Sequence, residues 1–132
     1  MDRKKLFKRL AYLIFFVLAA NFFANKFYWY FSVWYLDMIM HFLGGFWVGL
    51  ASIYLFPPQN LSFRSVLTIL FLVLLVGVGW EVFEFLVNGV IAQNPFDILD
   101  TASDIFFDLL GGLCAILYLL VPLKNQRTSN EE

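Results

Sequence analysis

The amino-acid sequence predicts an all-α, polytopic membrane protein, built as a single-domain bundle of four transmembrane helices. Hydrophobic residues make up 61% of the 132-residue chain and charged residues only 14%, whereas a soluble domain is about half apolar and a quarter charged. The apolar residues gather in four stretches, each close to the roughly 20 residues that a helix needs to cross a bilayer. The Lys and Arg residues outside these stretches lie almost entirely on one side of the membrane when the four spans alternate, and they thereby predict the orientation of the bundle.

An aromatic connector separates the first two spans. The first is predicted at residues 6–24, behind a basic N-terminal segment, and we expect it to stay uncleaved because Phe22-Phe23-Ala24 is a poor signal-peptide cleavage site. Residues 27–35 are dense in Tyr and Trp, which favour the headgroup boundary. The second span covers residues 36–56 and ends at Pro57-Pro58, which cannot continue a helix.

Two further spans complete the predicted bundle. The third covers residues 66–87 and ends at Asn88-Gly89, and the fourth covers residues 101–121 and is stopped by Pro122. The resulting division is a transmembrane domain at residues 1–123 and a disordered cytoplasmic tail at residues 124–132.

The basic residues predict the orientation of the bundle. If four spans alternate across the membrane, every Lys and Arg except Lys26 lies on the same side. Because cytoplasmic segments carry the excess of Lys and Arg, both termini are predicted to be cytoplasmic. The chain is therefore expected to be a multi-pass protein of the plasma (inner) membrane.

Polar residues from three spans fall at a similar depth below the outer boundary. At about 1.5 Å of rise per residue, all of them except Asp37 lie roughly 5–12 Å inside that boundary. A charged side chain that faces lipid is costly, so each polar stripe is expected to face the interior of the bundle. These residues are Asp37 and His41 on the second span, Glu81 and Glu84 on the third, and Asp104 and Asp108 on the fourth.

The second and fourth spans share a spacing pattern. Asp37-x-x-x-His41-x-x-Gly44-Gly45 matches Asp104-x-x-x-Asp108-x-x-Gly111-Gly112. The four shared positions favour a parallel duplication of a helical hairpin over a chance match of glycine pairs. Because glycine lets helix backbones approach closely, we predict that these two spans cross at their glycine pairs and hold their polar ends together.

Carboxylates without a Lys or Arg at the same depth must either hold protons or bind a cation. An oxygen-rich set suits a hard divalent ion such as Mg, Mn or Ca, and the single imidazole also admits Zn or Fe. Glu81 or Glu84 is predicted to act as a catalytic general base. The predicted metal ligands are Asp37, His41, Glu81, Glu84, Asp104 and Asp108.

The predicted ligands and two neighbouring acids also have structural interpretations. Asp100 is interpreted as the N-cap of the fourth span, and Asp97 as a residue of a solvated loop. Asp37 is equally compatible with a cap or an interfacial charge, and His41 with a hydrogen-bonded structural role. Protonated acids that hydrogen-bond across helices would account for the remaining carboxylates without any metal.

The motifs Asp37-x-x-x-His41, Glu81-x-x-Glu84 and Asp104-x-x-x-Asp108 with Gly111-Gly112 together resemble the pattern of the small inner-membrane proteins of YjdF type. More loosely, they resemble the VanZ-like membrane proteins. The resemblance spans about residues 36–112. The first family implies a multi-pass membrane protein of unassigned function, and the second implies a link to glycopeptide-antibiotic tolerance.

Together these observations predict an outer acidic pocket that binds a divalent cation and supports chemistry on a lipid or envelope-precursor head group. One alternative is a proton- or cation-coupled transporter. Another is a structural membrane partner, with an antibiotic-tolerance role as in VanZ-like proteins. The expected partners are the lipid bilayer, such a head group and further copies of the chain, and no nucleic-acid partner is expected.

Overall fold

The protein is a four-helix membrane bundle, as the sequence predicts. The computed structural model describes residues 2–58, 62–87, 89–90 and 96–129. Among these residues, four stretches are long and apolar enough to cross a membrane: Arg3–Lys26, Leu36–Leu55, Phe63–Val87 and Ile98–Tyr118. Within the described ranges the helices are α1 (Arg3–Lys26), α2 (Trp29–Ser32), α3 (Leu36–Leu55), α4 (Phe63–Val87) and α5 (Ile98–Ser129).

Three of the long helices begin about three residues earlier than predicted, because a polar side chain caps each of them. Such a side chain accepts hydrogen bonds from backbone N–H groups that have no partner within the first turn. The caps are Asp2, Ser62 and Asp97, whose side chains accept hydrogen bonds from the backbone N–H groups of Lys4, Ser65 and Leu99.

The cap of α5 corrects the interpretation of two acidic residues. Asp97, expected in a loop, is the N-cap, and Asp100, expected to be the cap, lies in the first turn. At its other end α5 continues through Pro122 to Ser129, since a proline can kink a helix without ending it. Residues 124–129, expected to be disordered, are therefore helical.

Parts of the predicted connections lie outside the described residues. These are residues 59–61 of the loop before α4, Asn88 of the predicted Asn88-Gly89 end, residues 91–95 of the loop at 90–99, and residues 130–132 of the tail. The orientation with both termini in the cytoplasm and the duplication of a hairpin stay predictions.

α3 and α5 form the closest helix pair of the bundle. A Cβ atom at Gly45 would overlap the carbonyl oxygen of Asp108, and a Cβ atom at Gly111 would overlap the carbonyl oxygen of Phe42. Only glycine permits such an approach of two helix backbones. The predicted crossing of these two spans at their glycine pairs is confirmed.

α4 packs against both α3 and α5. A Cβ atom at Gly112 of α5 would lie 2.8 Å from Cγ2 of Val73, so α4 also approaches closely. Toward the end of the bundle where α3 ends and α4 begins, three isoleucine side chains bury one another, one from each helix. They are Ile53, Ile69 and Ile116.

α1 lies outside this three-helix unit and packs mainly on α3. Leu6 and Leu10 are buried against Leu50. The indole N–H of Trp47 donates a hydrogen bond of 2.9 Å to the carbonyl oxygen of Leu10. This contact satisfies the one polar atom of a tryptophan that is otherwise surrounded by apolar groups.

The outer faces of the helices expose large apolar side chains. On α4, Phe71, Leu75 and Phe83 are 61%, 58% and 54% exposed. A soluble protein rarely shows an apolar surface of this extent, whereas hydrocarbon would cover it without cost. The exposed surface therefore fits a protein embedded in the lipid bilayer.

Candidate metal centre

Three helices bring polar side chains to one level of the bundle, close to the connector helix α2. Spacings of three and four residues keep the side chains of each helix on neighbouring positions of the same face. His41, Glu81, Asp104 and Asp108 are buried, and Asp37 and Glu84 are half-buried. The structure thus brings together all six residues that the sequence analysis selected.

The imidazole of His41 lies at the centre of the cluster. Its Nε2 atom is 3.9 Å from Oδ1 of Asp37, 3.8 Å from Oε1 of Glu81 and 3.7 Å from Oδ2 of Asp104. Each distance exceeds that of a hydrogen bond. Three carboxylates, one from each of three helices, therefore surround one ring nitrogen without bonding to it.

The other ring nitrogen of His41 has a closer partner. Nδ1 lies 3.3 Å from Oδ2 of Asp108. In the neutral tautomer that this contact favours, Nδ1–H donates to Asp108 and Nε2 carries a lone pair. We assign that tautomer from the contact geometry. The lone pair of Nε2 then faces three carboxylates, which is unfavourable unless a proton or a cation lies between them.

Glu81 contributes a buried oxygen without a described hydrogen-bond partner to the cluster. Its side chain is only 9% exposed, and Oε1 has no hydrogen-bond partner among the described residues. A buried polar atom without a partner is costly. This oxygen belongs to the same carboxylate that lies near Nε2 of His41.

The cluster has the dimensions of a cation site. One ligand atom from each of His41, Glu81, Glu84 and Asp104 can be chosen so that all four lie within 4.8 Å of one another. A divalent ion about 2.0–2.6 Å from each ligand would hold those ligands roughly 3–5 Å apart. The four groups therefore fit around one ion after small movements.

Asp108 is placed differently from the other predicted ligands. It lies on the Nδ1 side of His41, and its carboxylate fills the space beside Gly77, where a Cβ atom would lie 2.5 Å from Oδ2. It is not one of the four groups that converge within 4.8 Å. Its position is that of a carboxylate that orients the imidazole of His41.

A second set of acids lies at the rim of the cluster. Asp37, Asp100 and Asp104 also offer oxygens within 4.8 Å of one another. Asp37 is half-buried and Asp100 is exposed. Asp100, which the sequence analysis interpreted only as a cap, therefore adds negative charge on the exposed side of the cluster.

The family comparison agrees with the membrane fold. A family model described as "Predicted membrane protein (DUF2238)" matches residues 1–125. The chain belongs to this family. DUF2238 is the family of the YjdF-type proteins, so that resemblance is confirmed. The looser resemblance to VanZ-like proteins stays a prediction, and no curated protein and no solved structure matches the chain.

Tyr30 is a neighbour of the site in this DUF2238 chain that the sequence analysis did not select. Its hydroxyl donates a hydrogen bond of 2.6 Å to Oδ1 of Asn21, which ties α2 to α1. Burial, and then the carboxylates of Asp37 and Glu84, raise the pKa of Tyr30 to about 12. The phenol thus stays protonated at neutral pH. Nothing in the aromatic run of residues 27–35 distinguishes this tyrosine from its neighbours.

Proposed function

We propose that the acidic cluster is a divalent-cation site that supports chemistry on a lipid or envelope-precursor head group, at the outer side of the plasma (inner) membrane. One observation carries the proposal: Nε2 of His41 faces three carboxylates and hydrogen-bonds to none. Burial of Glu81 Oε1 without a partner supports the same conclusion. A divalent ion between these atoms would remove both unfavourable arrangements.

Different residues would serve this ion in different ways. His41, Glu81 and Asp104 are the buried members of the group of four that converges within 4.8 Å, so we assign them as its main ligands. Asp108 would fix the ring orientation and tautomer of His41 through Nδ1. The half-buried Asp37 would draw cations toward the site from the rim.

The chemistry would combine the ion with a nearby base. Mg, Mn, Ca or Zn supplies Lewis acidity toward a phosphate or carbonyl oxygen and makes bound water more acidic. Glu84 is half-buried, whereas Glu81 is buried. Glu84 therefore has room for a water molecule, and we assign it as the general base in preference to Glu81.

The packing beneath the cluster argues against the transport alternative. The carbonyl oxygen of Asp108 lies against Gly45, and the carbonyl oxygen of Phe42 lies against Gly111. This backbone contact leaves no space for an ion or water chain between α3 and α5 at that level. A cluster with this contact beneath it suits binding or catalysis better than conduction.

Metal content is the first test of the proposal. Full-length protein purified in detergent, stripped with EDTA and reloaded with MnCl2, is expected to bind Mn²⁺ stoichiometrically by elemental analysis. Glu81→Gln and Asp104→Asn are each expected to lose the bound Mn²⁺, because each removes one charged ligand from a small set. The matched control is Asp97→Asn, which removes a carboxylate at the same end of the bundle and keeps a good helix cap.

Two results would contradict the cation site. One is an EDTA-stripped wild type that takes up no Mn²⁺, Mg²⁺, Ca²⁺ or Zn²⁺. The other is full Mn²⁺ binding by both Glu81→Gln and Asp104→Asn. A loss shared equally by Asp97→Asn would mean that general surface charge, not the cluster, holds the ion.

Head-group chemistry is tested separately from metal binding. Proteoliposomes of phosphatidylglycerol and phosphatidylethanolamine with Mn²⁺ are expected to release a water-soluble head-group product, detected by mass spectrometry. Glu84→Gln is expected to retain most of the Mn²⁺ and to slow this release by about 10²–10⁴-fold, the usual contribution of a general base. Unchanged release in Glu84→Gln would contradict the assignment of Glu84 as the general base. Release that persists in EDTA would show that the reaction does not need the metal.

A further inference from the structure

A second polar site lies at the opposite end of the bundle, where α3 ends and α4 begins. A cavity of about 210 Å³ opens between these helices. Its polar wall contains Ser52, Arg64 and Thr68, and its apolar wall contains Phe56, Ile69 and Leu72. We propose that this cavity binds the phosphate group of an anionic phospholipid.

Arg64 is the donor that remains free in this cavity. The hydroxyl of Ser52 donates to the carbonyl oxygen of Val48 at 2.8 Å, and the hydroxyl of Thr68 donates to the carbonyl oxygen of Arg64 at 2.9 Å. The guanidinium of Arg64 has no hydrogen-bond or ion-pair partner among the described residues, and the residue is exposed. A planar guanidinium with free N–H groups matches the oxygens of a phosphate.

The surrounding charge favours an anion. Arg3 lies at the same end, where it donates a hydrogen bond of 3.2 Å to the carbonyl oxygen of Tyr54. The carboxylate of Asp2 is engaged by the backbone N–H groups of Lys4 and Lys5 that it caps. The described residues at this end thus present more free positive than free negative charge, as anionic lipid sites do.

The size and the apolar wall favour a lipid over a free phosphate ion. A volume of about 210 Å³ is below that of pockets which enclose a whole ligand of moderate size. It suits a phosphate with its adjoining glycerol, whose acyl chains would continue along the exposed Phe71 of α4. A free phosphate ion would leave the apolar wall at Ile69 and Leu72 without an apolar partner, whereas the glycerol and acyl chains of a lipid would cover it.

Binding of phosphatidylglycerol is the measurement that tests this site. Delipidated full-length protein is titrated with short-chain phosphatidylglycerol, short-chain phosphatidylcholine or inorganic phosphate, and native mass spectrometry counts the bound molecules. The wild type is expected to bind one phosphatidylglycerol in preference to phosphatidylcholine. Arg64→Gln is expected to weaken that binding about tenfold or more, because it removes a charge-assisted contact.

Two further variants separate the cavity from general charge. Lys8→Gln removes one positive charge from an exposed position on α1 and is expected to bind like the wild type. Leu72→Trp fills the cavity and leaves Arg64 in place, and it is expected to weaken binding as Arg64→Gln does.

Several results would overturn the lipid site. Equal losses in Lys8→Gln and Arg64→Gln would indicate attraction by surface charge alone. Wild-type binding by Leu72→Trp would place the lipid outside the cavity. Equal affinity for phosphatidylcholine, or for inorganic phosphate, would remove the anionic phospholipid as the occupant. None of these results depends on the acidic cluster, so the lipid site and the cation site are tested independently.

Discussion

Replacing Gly111 with leucine is expected to destabilise the bundle by about 3 kcal/mol, at the upper end of the usual cost of forcing a larger side chain into a packed interface. Even a Cβ atom at this position would overlap the Phe42 carbonyl oxygen and lie 2.6 Å from the Phe46 nitrogen. These are backbone atoms of α3, which cannot rotate away as a side chain would. Thermal unfolding of the detergent-purified protein measures the effect.

The matched control is a glycine in the same membrane environment without close neighbours. A Cβ atom at Gly79 would meet nothing within 4 Å. Gly79→Leu is therefore expected to leave stability unchanged or to raise it by up to about 1 kcal/mol, because glycine is a poor helix former. If Gly111→Leu unfolds at the same temperature as the wild type, the backbone contact between α3 and α5 does not exist in the membrane.

The same substitution links the packing to the site. Asp108 lies one helical turn before Gly111, and its carbonyl oxygen touches Gly45. Separation of α3 from α5 would draw Asp108 away from His41 and open the group of converging ligands. Gly111→Leu is thus expected to lose Mn²⁺ together with stability, whereas Gly79→Leu should retain both.

The sequence predicted those parts of the structure that follow from periodicity and depth. Spacings of three and four residues placed Asp104, Asp108 and the glycine pairs on one face, and the requirement to avoid lipid turned that face inward. The alternation of spans then put Glu81 at the same level as His41. The face and the depth of a residue follow from its position within its own helix. These predictions therefore did not require the packing between helices, and they agree with the structure.

Properties that depend on two helices at once could not be predicted in this way. The sequence does not show that Asp108 meets Nδ1 of His41 while Asp104 meets Nε2, because that depends on how far α5 is rotated about its axis. Nor does it show that Tyr30 of α2 hydrogen-bonds to Asn21 of α1, since that contact also depends on how two helices are placed. The caps at Asp2 and Asp97 were missed because the hydrophobic pattern begins only after them.

Divalent metal is expected to stabilise the wild-type protein, and this effect distinguishes a cation site from a purely structural cluster. A ligand that binds only the folded state stabilises it by about 2.7 kcal/mol when its free concentration is 100 times its Kd. The unfolding temperature should therefore rise when MnCl2 is added to EDTA-stripped protein. Glu81→Gln should show no such rise, because the variant lacks a ligand.

The metal-free forms give a second comparison between the two interpretations. If the cluster is a cation site, stripped wild type keeps several carboxylates around Nε2 of His41, and Glu81→Gln removes one of them. The stripped variant should then be at least as stable as the stripped wild type, since mutual repulsion falls. If the acids are instead protonated and hydrogen-bond across helices, Mn²⁺ should change nothing. Glu81→Gln should then leave the unfolding temperature nearly unchanged, because the Gln amide donates and accepts hydrogen bonds as a protonated carboxyl does.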